Sequence, residues 1–252
     1  MSLNFEENGI PIALINGGEY DGEILYVDPD KEGEKIFKLD DGTFSLLPKI
    51  DGRFSDYYVG KSGSGKSTLC AEKAKNYHKL FPKNDIYLFS ILESDPVFDD
   101  MEKKGIIKRV AIDESLIDDP IDHNDFKNCL VIFDDVDTFH NDKLMKAINS
   151  LRDQILQLGR HNNISIINCS HNVNNTGAAA KFNRIIMNEL HCLVFFNKSA
   201  NYHQIKYCLK KYFGFQDKQI EKLIKNKNTR WTCISSNHPQ YIVTENLCVL
   251  TN

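Results

Sequence analysis

Long hydrophobic runs are missing from this 252-residue chain. No apolar stretch approaches the roughly 18–20 residues that a membrane-spanning helix needs, so no membrane association is expected. The first ten residues, MSLNFEENGI, carry Glu6 and Glu7 and lack a basic start followed by an apolar core, which excludes a secretory signal there. The seven cysteines (Cys70, Cys129, Cys169, Cys192, Cys208, Cys233 and Cys248) include no CxxC pair. Several lie in apolar runs, so buried free thiols in a reducing compartment are expected rather than a disulfide framework or a zinc site. Internal repeats and low-complexity linkers are absent. Arginine is scarce: only Arg53, Arg109, Arg152, Arg160, Arg184 and Arg230.

What is present is an ordinary globular composition, 41% hydrophobic and 26% charged, on a length that suits one large α/β domain with an appendage. The net charge of −4 conceals an asymmetry. Residues 181–230 hold eleven Lys or Arg and three acids, a local +8, while the rest of the chain sums to −12. A basic surface over 198–230 suits nucleic acid, and equally suits a solvated helical face.

Residues 1–50 differ from the remainder. The short apolar runs 23–27, 35–39 and 44–48, separated by DPDKEG and DDG, predict a small β appendage. From residue 51 to 252 the pattern alternates between strands and helices. Strands are predicted at 54–60, 85–91, 106–112, 129–137, 164–171 and 191–197, with a closing hairpin over 229–245. Helices are predicted at 67–80, 141–160, 201–212 and 216–226, with Gly159 stopping the second. A loop and short helix fill 173–190, and a loop or short helix fills 113–127.

The strongest motif is Gly60-Lys61-Ser62-Gly63-Ser64-Gly65-Lys66-Ser67, followed by Thr68. It satisfies GxxxxGK[ST], follows an apolar strand and opens a helix. Its glycines let backbone N–H groups close around phosphate oxygens, and the helix directs its positive end at them. Lys66 is placed to reach the β- and γ-phosphates, and the Ser67 hydroxyl to ligate Mg²⁺. About 70 residues on, Leu130-Val131-Ile132-Phe133-Asp134-Asp135 is an apolar strand ending in two carboxylates, read as lying beside the loop. Asp134 is assigned to the metal and Asp135 to the attacking water, while Asp137 reads as a helix cap or a solvated residue. The strand over 164–169 ends in Ser170-His171-Asn172, where His171 or Asn172 can report on the γ-phosphate. A finger from a neighbouring subunit would neutralise charge on that phosphate; Arg160, at a helix end, is favoured, with Arg184 second.

These residues resemble the FtsK–HerA superfamily, and within it the poxvirus-type genome-packaging ATPases of large DNA viruses and virophages. The resemblance covers roughly residues 55–200. The two Walker motifs are generic; Gly159-Arg160-His161, followed by the sensor strand and by Arg184 and Asn188, is the more specific part. His171 replaces the family's usual glutamine, and Asp135 stands where glutamate is frequent. The resemblance implies a RecA-like α/β core with a mainly parallel sheet, helices on both faces and the N-terminal β appendage. It also implies ATP and Mg²⁺ as ligands, a hexameric or pentameric ring that pumps double-stranded DNA into a capsid, capsid portal-site proteins as partners, and a place in host cytoplasm and virion.

Three other readings compete. A P-loop kinase wants a lid with several arginines, which the region after residue 172 does not supply. A GTPase is mimicked by Asn197-Lys198-Ser199-Ala200, but Ala200 replaces the base-reading aspartate and no DxxG follows Asp134. A nucleotide-gated assembly or regulatory protein has no need of the Asp134–Asp135 pair.

Overall fold

The computed structural model describes residues 1–138, 141–173 and 179–251. Its N-terminal part contributes β1 (Ser2–Asn4), β2 (Ile10–Asn16), β3 (Ile24–Asp28), β4 (Ile36–Lys38) and β5 (Thr43–Leu46). Four of these form an antiparallel sheet in the order β1-β3-β2-β5. The fourth strand, β4, leaves that group and pairs with the far edge of a larger sheet. Neither β1 nor β2 carries the alternation needed to predict it.

The loop motif is framed by β6 (Ser55–Val59) and α1 (Lys66–Leu80). Next come β7 (Asp85–Ser90), α2 (Pro96–Lys103), β8 (Lys108–Val110) and α3 (Ser115–Asp118). The helix α2 was not foreseen, although its signal is present: Asp95 accepts from the Val97 N–H, and Pro96 occupies the first turn. The chain continues through β9 (Cys129–Asp134), α4 (Asp142–Leu158), β10 (Ile164–Ser170), α5 (Ala179–Glu189) and β11 (Cys192–Phe196). It closes with α6 (Tyr202–Tyr212), α7 (Asp217–Ile224), β12 (Trp231–Ser235), β13 (Tyr241–Thr244) and β14 (Leu247–Leu250). The start of the loop predicted after residue 173, at 174–178, lies outside the described residues.

The large sheet has ten strands in the order β4-β14-β13-β12-β11-β6-β10-β9-β7-β8. The six from β11 to β8 are parallel, and the other four add an antiparallel wing. The expected closing hairpin is thus the middle of that wing. Strands β9 and β10 are buried along their whole length, because helices and the small sheet cover both faces. One face packs against α1, α2 and the N-terminal sheet. The other packs against α4, α5, α6 and α7.

Helix α4 presents Ile148, Leu151 and Ile155 to that second core at the helical spacing the sequence shows, but Leu158, the next residue of that repeat, is 41% exposed and Leu156 is buried instead. Asn141 caps its start by accepting from the Lys143 and Leu144 N–H groups. Gly159 follows its last residue, but not as a left-handed stop. The chain runs on through a 3₁₀ turn, and Asn163 takes the left-handed conformation (φ 53°). A side chain at position 159 would meet the Arg53 guanidinium at 3.1 Å. Arg53 fills that space because it donates to the Ile155 and Leu156 carbonyls at the end of α4, at 2.6 and 2.5 Å.

Two ion pairs, one partly and one fully buried, tie elements across the core. Asp137 is neither a cap nor solvated, as the sequence suggested: it accepts from Arg152 of α4 at 2.9 Å, and Arg152 is itself 2% exposed. On the opposite face, Lys73 of α1 meets Asp56 of β6 at 2.6 Å, both out of water. Breaking a buried pair leaves an uncompensated charge, so Lys73→Met should destabilise the protein by about 3–5 kcal/mol. In a thermal melt that is a fall of roughly 6–20 °C for a chain of this size. Adding Asp56→Asn to the same chain should recover most of the loss; a single variant that melts like wild type contradicts the assignment.

Candidate nucleotide site

The loop leaves β6 at Gly60, whose N–H donates to the Ser170 carbonyl at 3.2 Å and so fastens the loop to the end of β10. Gly60 cannot be replaced without displacement: a Cβ there would lie 2.6 Å from Ser64 Oγ and 3.1 Å from the Phe196 ring. Gly65, with φ 102°, occupies the position before α1, and no side chain caps the helix. The first amides of α1 are therefore left for a ligand with anionic oxygens. Lys61, Ser62, Gly63 and Thr68 are exposed along the loop and first turn.

Lys66 is buried, with its Nζ 3.1 Å from the Gly60 carbonyl and 3.4 Å from that of Lys61. Those carbonyls stand where phosphate oxygens would be expected. The same ammonium lies 3.4 Å from Asp135 Oδ1. Ser67 Oγ donates to Asp134 at 3.1 Å from Oδ2 and 3.3 Å from Oδ1. Asp134 is 2% exposed. Burial, with the Asp135 charge behind it, pushes its carboxyl up to about 6, against the pull of the Ser67 hydrogen bond. A buried carboxylate of raised proton affinity facing a hydroxyl is a set of hard oxygen donors, and it fits Mg²⁺.

Asp135 sits with φ 51°, its N–H donating to the Cys169 carbonyl at 3.2 Å. Aspartate tolerates this left-handed backbone better than glutamate, because its short polar side chain bonds locally. The departure from glutamate thus has a conformational reason. His171 Nε2 lies 3.3 Å from Asp135 Oδ2. Lys66, Ser67, Asp134, Asp135 and His171 therefore converge at the carboxyl ends of three parallel strands.

The end of the acid-bearing strand β9 lies beside the loop, as the sequence suggests, without pairing with β6: β10 is inserted between the two strands and pairs with both. That insertion brings His171, which follows the end of β10, beside Asp135. Asn172 is exposed, and its backbone carbonyl accepts from the Tyr57 hydroxyl at 2.7 Å.

The arginines separate by position. Arg160 is exposed in the 3₁₀ turn that feeds the start of β10, so it stands at the amino ends of the parallel strands, away from its own loop. Arg184 is exposed on α5. Arg152 and Arg53 are engaged inside, as described, and Arg109 pairs with Asp99 and Glu102. Arg230 was unexpected near the loop. It pairs with Glu245 at 2.5 Å and lines a small recess with Ser64, Thr68, Phe196 and Trp231. Its only signal was the strand start Thr229-Arg230-Trp231.

Asn197 is removed from nucleobase reading. It is buried, donating to the Leu223 carbonyl at 2.8 Å and accepting from Thr232 Oγ1 at 2.8 Å. The seven cysteines are all free and buried. No described helix is long and apolar enough to cross a membrane, and no group of three metal-ligating side chains occurs among the described residues.

No profile of a known protein family matches the sequence. The chain is 38% identical over 246 residues to a protein of the Sputnik virophage described as "Uncharacterized protein V3", covering 97% of this chain and 96% of that one. The chain belongs to the family of V3. Among solved structures, this V3-family protein is similar to B204, the DNA-packaging ATPase of Sulfolobus turreted icosahedral virus, with TM-score 0.50 and 16% identity over 78% of this chain and 98% of B204. It is similar too to the conjugation coupling protein TcpA of pCW3, in a monomer form with ATPγS, with TM-score 0.51 and 12% identity over 94% and 77%. By fold, the V3-family chain shares with these structures a mixed α/β architecture built on a large, mostly parallel central sheet.

Proposed function

We propose that this V3-family protein hydrolyses ATP to move double-stranded DNA, and that the DNA is a viral genome entering a capsid. The observation that carries the ATPase part is the meeting of Lys66, Ser67, Asp134, Asp135 and His171 at one end of β6, β10 and β9. The DNA part is supported by the kinship with a virophage protein, the fold shared with B204, and the lysine-rich α6–α7 region.

In this reading the loop amides and Lys66 bind the triphosphate, with Thr68 on the adjoining turn. Ser67 and Asp134 would hold Mg²⁺, which when bound would offset negative charge on the phosphates. Asp135 orients a water for in-line attack on the γ-phosphorus. The P–O bond to ADP breaks as the bond to water forms, and the water's protons pass to solvent and phosphate. His171, bonded to Asp135, registers the loss of the γ-phosphate. Arg160 is assigned as the finger supplied to the next subunit of a ring, which accounts for its distance from its own loop. Residues 1–50 are assigned as an appendage to the motor domain 51–252, and the site of action as the host cytoplasm where virions assemble.

The deciding measurement is ATPase rate with and without duplex DNA across a range of protein concentration. Stimulation by DNA that grows with protein concentration is expected. Flat turnover that ignores DNA refutes the motor and leaves a nucleotide-gated assembly protein.

A further inference from the structure

The antiparallel wing of the large sheet is not fully covered. One row of side chains crosses it on the face shared with α7: Ile234, Ile242, Val249 and Ile36 are successive partners across β12, β13, β14 and β4. Directly opposed residues of antiparallel strands share a face. Exposure along this row rises outward, from 0% at Ile234 and 8% at Ile242 to half-buried Val249 and 60% at Ile36. Helix α7 is only eight residues long and ends before it can roof the row. A groove of about 840 Å³ remains between it and the strands, floored by Leu223, Ile242 and Val249 and edged by Lys222, Lys225 and Lys227. An apolar floor with a cationic edge suits an acidic segment with apolar residues of its own. A nucleic-acid backbone has no use for such a floor.

The same chain carries that segment at its other end. Residues 113–125, after β8 on the opposite edge of the sheet, hold six acids and no Lys or Arg. Glu114, Asp118 and Asp119 are exposed, with Ile117 half-buried among them and Pro120 exposed beside them. This stretch packs on α4, and α4 and α7 lie on the same face of the sheet. Nine strand spacings separate β4 from β8, roughly 40 Å, so groove and acidic segment cannot meet within one molecule.

We infer that the groove beside α7 receives the acidic 113–125 edge of a second copy of this chain. The contact is head-to-tail: each copy offers a groove on one side and an acidic edge on the other. Such contacts repeat until the rotation between copies closes a ring. The inference names the surfaces of the ring in the proposed motor, but it is read without nucleotide or DNA.

The test is self-association of the full chain by sedimentation velocity at low salt. Wild type should associate, and less so as salt screens the charges. A groove variant (Lys222→Glu, Lys225→Glu and Lys227→Glu) and an edge variant (Glu114→Lys, Asp118→Lys and Asp119→Lys) should each associate at least about tenfold more weakly. Ile36→Asp, on an exposed position, should weaken association without altering the melting temperature. Mixing the two charge variants is the decisive step. The acidic groove of one then meets the basic edge of the other, and the remaining contact is native, so association should return. A wild type that stays monomeric, variants that associate normally, or a mixture that stays monomeric overturns the inference. Association through these surfaces together with DNA-indifferent ATPase would refute the motor and leave the contact standing.

Discussion

Lys66→Ala should lower steady-state ATP hydrolysis by about 10²–10³-fold, the usual cost of deleting one fixed positive donor aimed at charge that develops in the transition state. The ammonium is already buried and aimed inward, held by the Gly60 and Lys61 carbonyls and by Asp135. A triphosphate entering the loop exchanges those carbonyl acceptors for phosphate oxygens, with little reorganisation of the side chain. Lys66→Arg should not rescue the rate, because a planar guanidinium does not fit a position only 4% exposed. Subunits carrying Lys66→Ala should depress a mixture with wild type by more than their share if sites act through shared rings. A variant that keeps over a tenth of the wild-type rate with an unchanged melting temperature would remove Lys66 from the chemistry.

Asp134→Asn should abolish turnover and yet make the metal-free protein more stable at neutral pH. The carboxyl of Asp134 is raised from 3.8 to about 6 in the folded chain. Between those values the native state keeps a proton that the unfolded chain has lost. Stability from this group is therefore full below about pH 4 and lost as pH rises through about 6. The shift of about two units corresponds to roughly 3 kcal/mol at pH 7, which asparagine restores by never ionising. In the presence of a chelator, calorimetry at pH 7.5 should show a midpoint about 6–12 °C higher for the variant. The advantage should shrink steadily toward pH 4. Equal midpoints at pH 7.5 would show that Asp134 is not held under strain by its surroundings. The underlying logic is that a site shaped for a cation is uncomfortable without one.

Legibility followed locality. The Gly60–Ser67 loop, its entering strand and its helix share one short stretch, and their chemistry is written in residue types that tolerate little substitution. Strand β9 was readable because burial on both faces forces an unbroken apolar run, and α4 because its buried face repeats at helical spacing. What escaped was pairing at long range. No pattern in 164–170 shows that β10 slides between β6 and β9, and none in 36–38 shows that three residues join the far edge of the sheet. Asp137 was misjudged because its partner, Arg152, lies a full helix away and reaches it only after α4 has docked. Arg230 came near the loop because β12, which it precedes, pairs with β11 beside the loop strand, a pairing that the hairpin pattern over 229–245 does not reveal. Of the candidate fingers, the fold removes Arg152 and Arg53 from consideration by giving them internal work, a distinction invisible in a list of arginines.

The complete burial of every native thiol has a practical sequel. A maleimide dye added to the folded chain finds nothing to attack, so the wild-type background is dark. One cysteine installed at an exposed position, such as Lys222 on α7 or Asp118 on α3, would then be the single reactive handle on each copy. Energy transfer between dyes on those two positions could report how neighbouring copies are spaced, with no native cysteine deleted to silence the background.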